Sequence, residues 1–375
     1  MKNSMGLVAF AALSFVFTVV SCGNVANNTN NKGRGEDSYQ AGDVALKAIK
    51  IDGITYEKTA EVYVTGKDGV MIVGKDPVFI DSTAEAGYKG VFREGRTVTL
   101  SPFIMSKYEV TQELYSAVMA EQTVLIDGEE KKLKATPWFC IEGSLEYKRL
   151  PGEIQKYRGV EGVSWFDAVY FCNALSKKTG LTPAYNITVN SVTSDGNIED
   201  ATVSLVANSN GYRLPTEAEW EFAARGGDPT KSVWNSLFSG SASEEAKNYS
   251  DPKNTGMDSV GWYKFNSRSG TTENTEPSIG TTGYGTHEVG LKTSNALGIF
   301  DMSGNVSEWC YDWSAAIETG SEANPSGPTS GSYRVFRGGS WGDVASDCSV
   351  SNRMYSGTQD NRSYFIGFRV VRTAQ

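Results

Sequence analysis
The sequence predicts an α+β fold in which a few short helices and small antiparallel sheets are joined by long loops. Three observations predict it. Glycine fills 40 of the 375 positions, well above the usual ~7%, which favours many turns. The 18 Tyr and 8 Trp residues supply aromatic anchors between those turns. Periodic segments are short and unlike one another, so neither a helical bundle nor a βαβ repeat is encoded. The hydrophobic share of 39% suffices for a packed core, and 21% charged residues is too few for global disorder. The formal charge of −9 argues against a nucleic-acid partner, which would require a basic stripe on the phosphates.

The first residues read as an address. Lys2 precedes an apolar run, Gly6 to Val20, of 15 residues, too short to span a bilayer and of signal-peptide length. Val19-Val20-Ser21-Cys22 resembles a relaxed bacterial lipobox, which implies cleavage before Cys22 and lipidation of that thiol. A plain secretory signal with an incidental Cys is the alternative. Asn24 to Asp37 is polar and Asn-rich, without apolar periodicity, and reads as a tether. The expected organisation is therefore a signal peptide over 1–21, a flexible tether over 22–40, N-terminal strands over 41–65 and a main domain over 66–375. Those early strands either stand apart or belong to the main domain.

Short β-rich stretches at Ala48–Ile51, Ile54–Tyr56, Glu61–Val64 and Val78–Ile80 are separated by Asp-Gly, Gly-Lys-Asp-Gly and Lys-Asp-Pro breaks. Arg96–Leu100 alternates polar and apolar residues like a half-buried strand. Thr111 can cap a helix through Met119. Ser164 with Asp167 forms a capping-box variant for a helix reaching about Lys178, where Lys177 and Lys178 complement the negative end and Gly180 stops it. Thr216 with Glu219 is a full capping box, and Trp220, Ala223 and Ala224 should form one apolar face. Gly226-Gly227 ends that helix. Residues 228–295 form a long irregular insert.

Besides Cys22, the thiols are Cys140, Cys172, Cys310 and Cys348. They are too sparse for a disulfide scaffold, and one or two disulfides or buried free thiols both suit an exported protein. The single histidine, His287, excludes any site built on several imidazoles. It sits in Gly-Thr-His-Glu-Val-Gly and is read as a surface or loop residue.

Four ordered motifs carry a resemblance: Tyr212–Gly226, Gly298–Trp309, Arg337-Gly338-Gly339-Ser340-Trp341 and Ile366-Gly367-Phe368-Arg369. Together with Phe103–Gln112 and Gly162–Leu175 they resemble the formylglycine-generating-enzyme, or sulfatase-modifying factor, superfamily. The resemblance implies an irregular C-type-lectin-like α+β fold. It also implies a copper pair of cysteines following the Arg-Gly-Gly-Ser motif, but the corresponding positions are Asp343 and Cys348. Cu(I) is soft and favours two thiolates, and the three-histidine iron site of other relatives cannot be built from His287 alone. No catalytic cofactor and no catalytic residue are therefore expected. Asp301, Gly304, Val306 and Glu308 match the superfamily's calcium site, two carboxylates and two carbonyls on one turn. The alternatives are a structural calcium ion or a metal-free turn in which Glu308 pairs with an Arg.

Within the stretch 337–370, non-framework residues cluster: Gly342, Asp343, Val344, Asp347, Ser349, Tyr355, Ser356, Gly357, Asp360, Ser363, Tyr364 and Phe365. This arrangement resembles the variable region of proteins diversified by retroelements, in which adenine-directed copying alters Asn codons. The resemblance implies a site in which Tyr, Phe and Ser give contact area and adaptable hydrogen bonds on a rigid frame. The expected function is a ligand-binding lipoprotein of the outer membrane or cell surface, anchored by its N-terminal lipid and binding a protein or other surface molecule. A catalytically altered enzyme acting on an exported substrate is the alternative, and a plain structural lipoprotein is a third.

Overall fold
The computed structural model describes residues 39–77, 89–141, 149–241, 253–267, 282–353 and 356–374. The signal peptide, Cys22, nearly all of the tether, the Val78–Ile80 stretch and Tyr355 lie outside them. Four α-helices occur among the described residues: α1 (Gln112–Met119), α2 (Trp165–Lys178), α3 (Glu217–Ala224) and the single turn α4 (Thr255–Asp258). The rest is short strands and loops, as the glycine content foretold, and no helix among the described residues is long and apolar enough to cross a membrane.

Local signals act where they were read. The Thr111 hydroxyl accepts from Leu114 N at 3.2 Å, and Leu114, Tyr115, Val118 and Met119 then face the core. At α2, Ser164 Oγ accepts from Asp167 N at 3.1 Å while the Asp167 carboxylate accepts from Ser164 N at 3.0 Å. These contacts satisfy two end groups that the helix itself leaves unpaired. Gly180 takes φ +76°, and Leu181 N returns to Ser176 O at 2.8 Å. The strand Arg96–Leu100 alternates as expected, with Arg96, Val98 and Leu100 buried.

The capping box of α3 is present, but its single apolar face is not. Every residue of α3 is buried, including Glu217, Glu219 and Glu221. The reason is compensation: Glu219 takes a bidentate contact from Arg213 at 2.6 and 2.7 Å, and Glu217 and Glu221 pair with Arg337, each at 2.8 Å. A buried carboxylate is tolerated when a guanidinium matches it in this way. The helix is an interior strut.

Two four-stranded sheets organise the domain. One has the order Val44–Leu46, Glu61–Tyr63, Phe103–Ser106, Val371–Thr373. The early strands thus pair directly with the main domain, and no boundary falls at residue 65. The other has the order Ser356–Gly357, Arg334–Arg337, Ser307–Trp313, Ile366–Gly367, its last pairing parallel. A three-stranded sheet (Gly320–Ala323, Arg96–Leu100, Val70–Val73) and three hairpins complete the set. One apolar cluster joins α1 and α2 to Trp309 and Phe368, a second surrounds α3, and a small third gathers Phe238, Met257, Tyr263 and Cys348. The four cysteines are free and buried, so of the two alternatives the thiol one holds among them.

Candidate binding face
The segment 342–365 hangs between two locked anchors. At its start Arg337, wholly buried, donates to Glu217, Glu221 and Val350 O at 2.8, 2.8 and 2.7 Å. Gly339 adopts φ +65°, and a Cβ there would lie 2.7 Å from Cys348 Sγ, so only glycine lets the chain pass. Ser340 N and Oγ both donate to Asp343 Oδ2, at 2.8 and 2.7 Å, closing a tight turn. Burial holds the Asp343 carboxyl above its usual range, opposed by those Ser340 contacts. At the far end Arg369 grips Glu308 by two contacts of 2.7 Å. Just before that end, Arg362 donates to Asp167 Oδ2 at 3.0 Å and Ser164 Oγ at 3.1 Å, tying the segment to the cap of α2.

Between the anchors the aromatic side chains converge. Trp341 is buried, and its indole N–H donates to Tyr364 O at 3.0 Å. Its ring lies 5.0 Å from Phe365 and 6.0 Å from Tyr364, which is itself 4.2 Å from Phe365. Two rings distant in sequence join them: Tyr284 stands edge-on to Trp341 at 4.7 Å, and Phe139 edge-on to Tyr364 at 6.4 Å. Tilted and edge-to-face contacts at these distances are attractive beyond area burial alone. Sequence reasoning missed both Phe139 and Tyr284, and nothing local could have placed them here.

Of the residues singled out in the segment, Asp360 is exposed, and Gly342, Asp343, Val344, Asp347, Ser356, Ser363, Tyr364 and Phe365 are half-buried. Two are corrections. Ser349 is fully buried behind the turn Ala345–Cys348, and its hydroxyl finds no partner among the described residues. Gly357 is buried in a strand opposite Arg334, where a Cβ would lie 3.1 Å from Trp309 and 2.7 Å from Asn361 Nδ2. Neither can present a side chain to a ligand. Gly342 is also constrained, since a Cβ there would meet the Phe365 ring at 2.3 Å.

His287 is the clearest overturned expectation. It is wholly buried, stacked on Trp262 at 4.0 Å, with Nδ1 at 2.6 Å from Glu153 Oε1 and Nε2 at 2.8 Å from Ser267 O. Burial depresses its proton affinity, against the pull of the Glu153 carboxylate. Ser267 Oγ in turn donates to Trp341 O at 3.0 Å. The histidine is therefore an internal brace behind the aromatic cluster, held by Glu153 from 134 residues away.

Asp301, Gly304, Val306 and Glu308 do meet on one turn, with Asp301 at φ +59° and Gly304 at +85°. Several of their polar groups are already engaged. Besides the two contacts from Arg369, Glu308 accepts the Trp220 indole N–H at 2.7 Å, and Val306 N donates to Glu109 Oε1 at 3.1 Å. Asp301 accepts from Gly290 N at 2.7 Å, leaving one buried oxygen without a partner among the described residues. Burial raises Asp301 to about 6. Among the described residues no three His, Cys, Asp or Glu side chains are grouped to hold a metal ion. The pairing of Glu308 with an Arg, one of the two arrangements the sequence allowed, is present through Arg369. A copper pair does not fit. Cys348 is buried, and burial with the Asp343 and Asp347 charges pushes its thiol far above the usual range, so a thiolate is strongly disfavoured.

The model of the sulfatase-modifying factor enzyme 1-like domain matches residues 56–374. A chaperone protein LppX of Paenibacillus barcinonensis is 33% identical over 313 residues, covering 81% of this chain and 92% of that protein. A formylglycine-generating enzyme of Thermomonospora curvata is 30% identical over 309 residues, covering 79% and 88%. Among solved structures, Treponema denticola variable protein 1 superposes with a TM-score of 0.60 at 32% identity, over 87% of this chain and 98% of that one.

Proposed function
The chain belongs to the sulfatase-modifying factor enzyme 1-like domain family, and on that premise we propose that it is a ligand-binding member rather than an oxidase. Its binding face is the surface around Tyr364 and Phe365, with Gly342, Asp343, Val344, Asp347, Ser356, Asp360 and Ser363 as its neighbours. One observation carries this reading: a segment of half-exposed residues is fixed at both ends by buried arginine–carboxylate pairs. A frame held this way keeps its shape while the side chains between the anchors change. The likeness to a variable protein supports diversification of those positions. Lipidation at Cys22 would hold the protein on a membrane, at the outer membrane or cell surface, with a protein or other surface molecule as ligand.

The enzyme alternative draws on the relative named as a formylglycine-generating enzyme. Against it, Asp343 stands at the first thiol position and spends its carboxylate on Ser340.

The test is a library of the full mature chain randomised at Val344, Asp347, Ser356, Asp360, Ser363 and Tyr364 and selected on several unrelated folded proteins. Specific binders that keep the parent melting temperature support the reading. A library whose members fold but bind no target would refute it.

A further inference from the structure
The imidazole of His287 lies between two oxygens. Nδ1 is 2.6 Å from Glu153 Oε1 and Nε2 is 2.8 Å from Ser267 O, with the ring wholly buried. A backbone carbonyl only accepts, so the second contact is a hydrogen bond only if Nε2 carries a proton. A neutral ring then turns a bare lone pair on Nδ1 towards Glu153, and an ionised carboxylate there would set two acceptors 2.6 Å apart. Moving the proton to Nδ1 only transfers the clash to Ser267 O. In the interior an unmade bond of this kind is costly. One additional proton, on Nδ1 or on Glu153 Oε1, satisfies both contacts at once. Glu153 Oε2 already accepts from Leu150 N at 3.1 Å, which leaves Oε1 for it.

The surrounding charges act on that proton in both directions. Burial and the Arg158 guanidinium lower the imidazole's affinity for it, against the pull of Glu153. Burial would raise the Glu153 carboxyl, but the imidazole and Arg158 bring it below its usual range. Arg149 donates to Glu153 O. Lys292 Nζ stands 3.9 Å from the centre of the Trp262 ring that stacks on His287, and Glu109 accepts from Asn305, whose Oδ1 accepts from His287 N at 2.8 Å. Taken singly, neither His287 nor Glu153 would keep a proton at neutral pH. Facing each other they titrate as one unit, and releasing the proton breaks a buried contact.

The ring connects to the candidate face through Ser267. Ser267 N donates to Tyr263 O at 2.9 Å and its Oγ to Trp341 O at 3.0 Å, while Trp341 N donates to Asn305 O at 2.9 Å. Trp341 in turn packs on Tyr364 and Phe365. We propose that His287 and Glu153 hold one shared proton through neutral pH, and that this proton pins the floor of the binding face, so that its loss in alkaline solution releases Trp341. The consequence for the face rests on the proposed binding role, whereas the proton itself does not. Below about pH 6.5, where an unfolded histidine is protonated as well, the stabilisation is complete; it is lost as pH rises through the value of the pair.

The test uses the untagged full mature chain labelled with 15N at histidine, in which a single imidazole gives every signal. At neutral pH two ring protons protected from exchange are expected, one bonded to Nε2 and one far downfield in the short contact to Glu153. On alkaline titration the downfield signal should disappear together with a shift of the Trp341 indole N–H, which Trp341→Phe identifies. Glu153→Gln offers Nδ1 a carboxamide N–H, as a protonated carboxyl would, and keeps an oxygen for Leu150 N. It should therefore hold the Trp341 signal in place and abolish its alkaline shift. A single ring proton at neutral pH, or an equal alkaline shift of Trp341 in E153Q, overturns the inference. The parent spectrum decides alone should the variant fail to fold. No ligand takes part, so a library without binders leaves the shared proton standing, and a missing proton leaves the binding face standing.

Discussion

The indole N–H of Trp341 donates to the backbone oxygen of Tyr364, 3.0 Å away and 23 residues further along the chain. One bond thus joins the first residue after the Arg-Gly-Gly-Ser turn to the backbone of a ring residue of the candidate face. That contact ties the two ends of the segment together inside the anchors formed by Arg337 and Arg369.

Trp341→Ala should cost about 3–5 kcal/mol, the usual range for removing a buried aromatic side chain. Trp341→Phe keeps much of the packing and loses the hydrogen bond, a smaller loss of about 1 kcal/mol. Urea unfolding of both variants measures the difference, and equal losses would mean that the bond rather than the packing holds the ring.

Arg337→Met leaves Glu217 and Glu221 short of a countercharge inside the protein, although Arg353 and Arg225 still reach one carboxylate each. A loss of about 3–5 kcal/mol is expected for breaking a buried pair from one side. Adding Glu221→Gln to the variant should recover part of it, as a double-mutant cycle would read.

Stability should fall as the solution turns alkaline. Burial raises Asp301 to about 6, Glu161 to about 7 and, aided by the charge of Glu217, Asp312 to about 8. The folded state therefore binds more protons than the unfolded chain between about pH 4 and 8, and unfolding free energy declines across that window. Glu217 acts the other way: burial would raise it, but Arg353 and Arg337 bring it down to about 2, so its contribution is present above its unfolded value near 4.5 and is lost as pH falls through about 2. Denaturation midpoints should be higher at pH 5 than at pH 8.5, and Asp312→Asn should flatten the slope.

Substitutions along the segment should separate into two classes. Asp360 and Ser363 should tolerate changes within about 0.5 kcal/mol each. Ser349→Leu and Gly357→Ala force atoms into filled space and should cost about 1–3 kcal/mol. Gly342→Ala should keep most of the stability yet displace Phe365, a change that the near-UV circular dichroism of the aromatic cluster would register. Uniform tolerance across all five would show that the two interior positions are not packed as described.

What the sequence disclosed was local. Both capping boxes, the Gly180 stop and the alternating strand Arg96–Leu100 depend on residues within a few positions of one another, and each formed as read. The full burial of α3 was hidden because its acidic residues look solvent-facing until Arg337 arrives from 116 and 120 positions away. His287 was misread for the same reason, since neither Glu153 nor Ser267 is its neighbour in sequence. Within the segment, Ser349 and Gly357 share the small, polar character of surface loops, and composition does not separate a buried serine from an exposed one. Phe139 and Tyr284 joined the face only through tertiary packing.

The strand Val371–Thr373 closes the sheet begun by Val44–Leu46 and Glu61–Tyr63, on the far side of Phe103–Ser106. Any copying accident upstream that shifts the reading frame or halts translation deletes this last strand along with Arg369. The product is left with an open sheet edge and an unneutralised Glu308, and it fails as a whole rather than surviving as a truncated domain. Placing an indispensable closing element downstream of the segment 342–365 makes folding itself the proofreader.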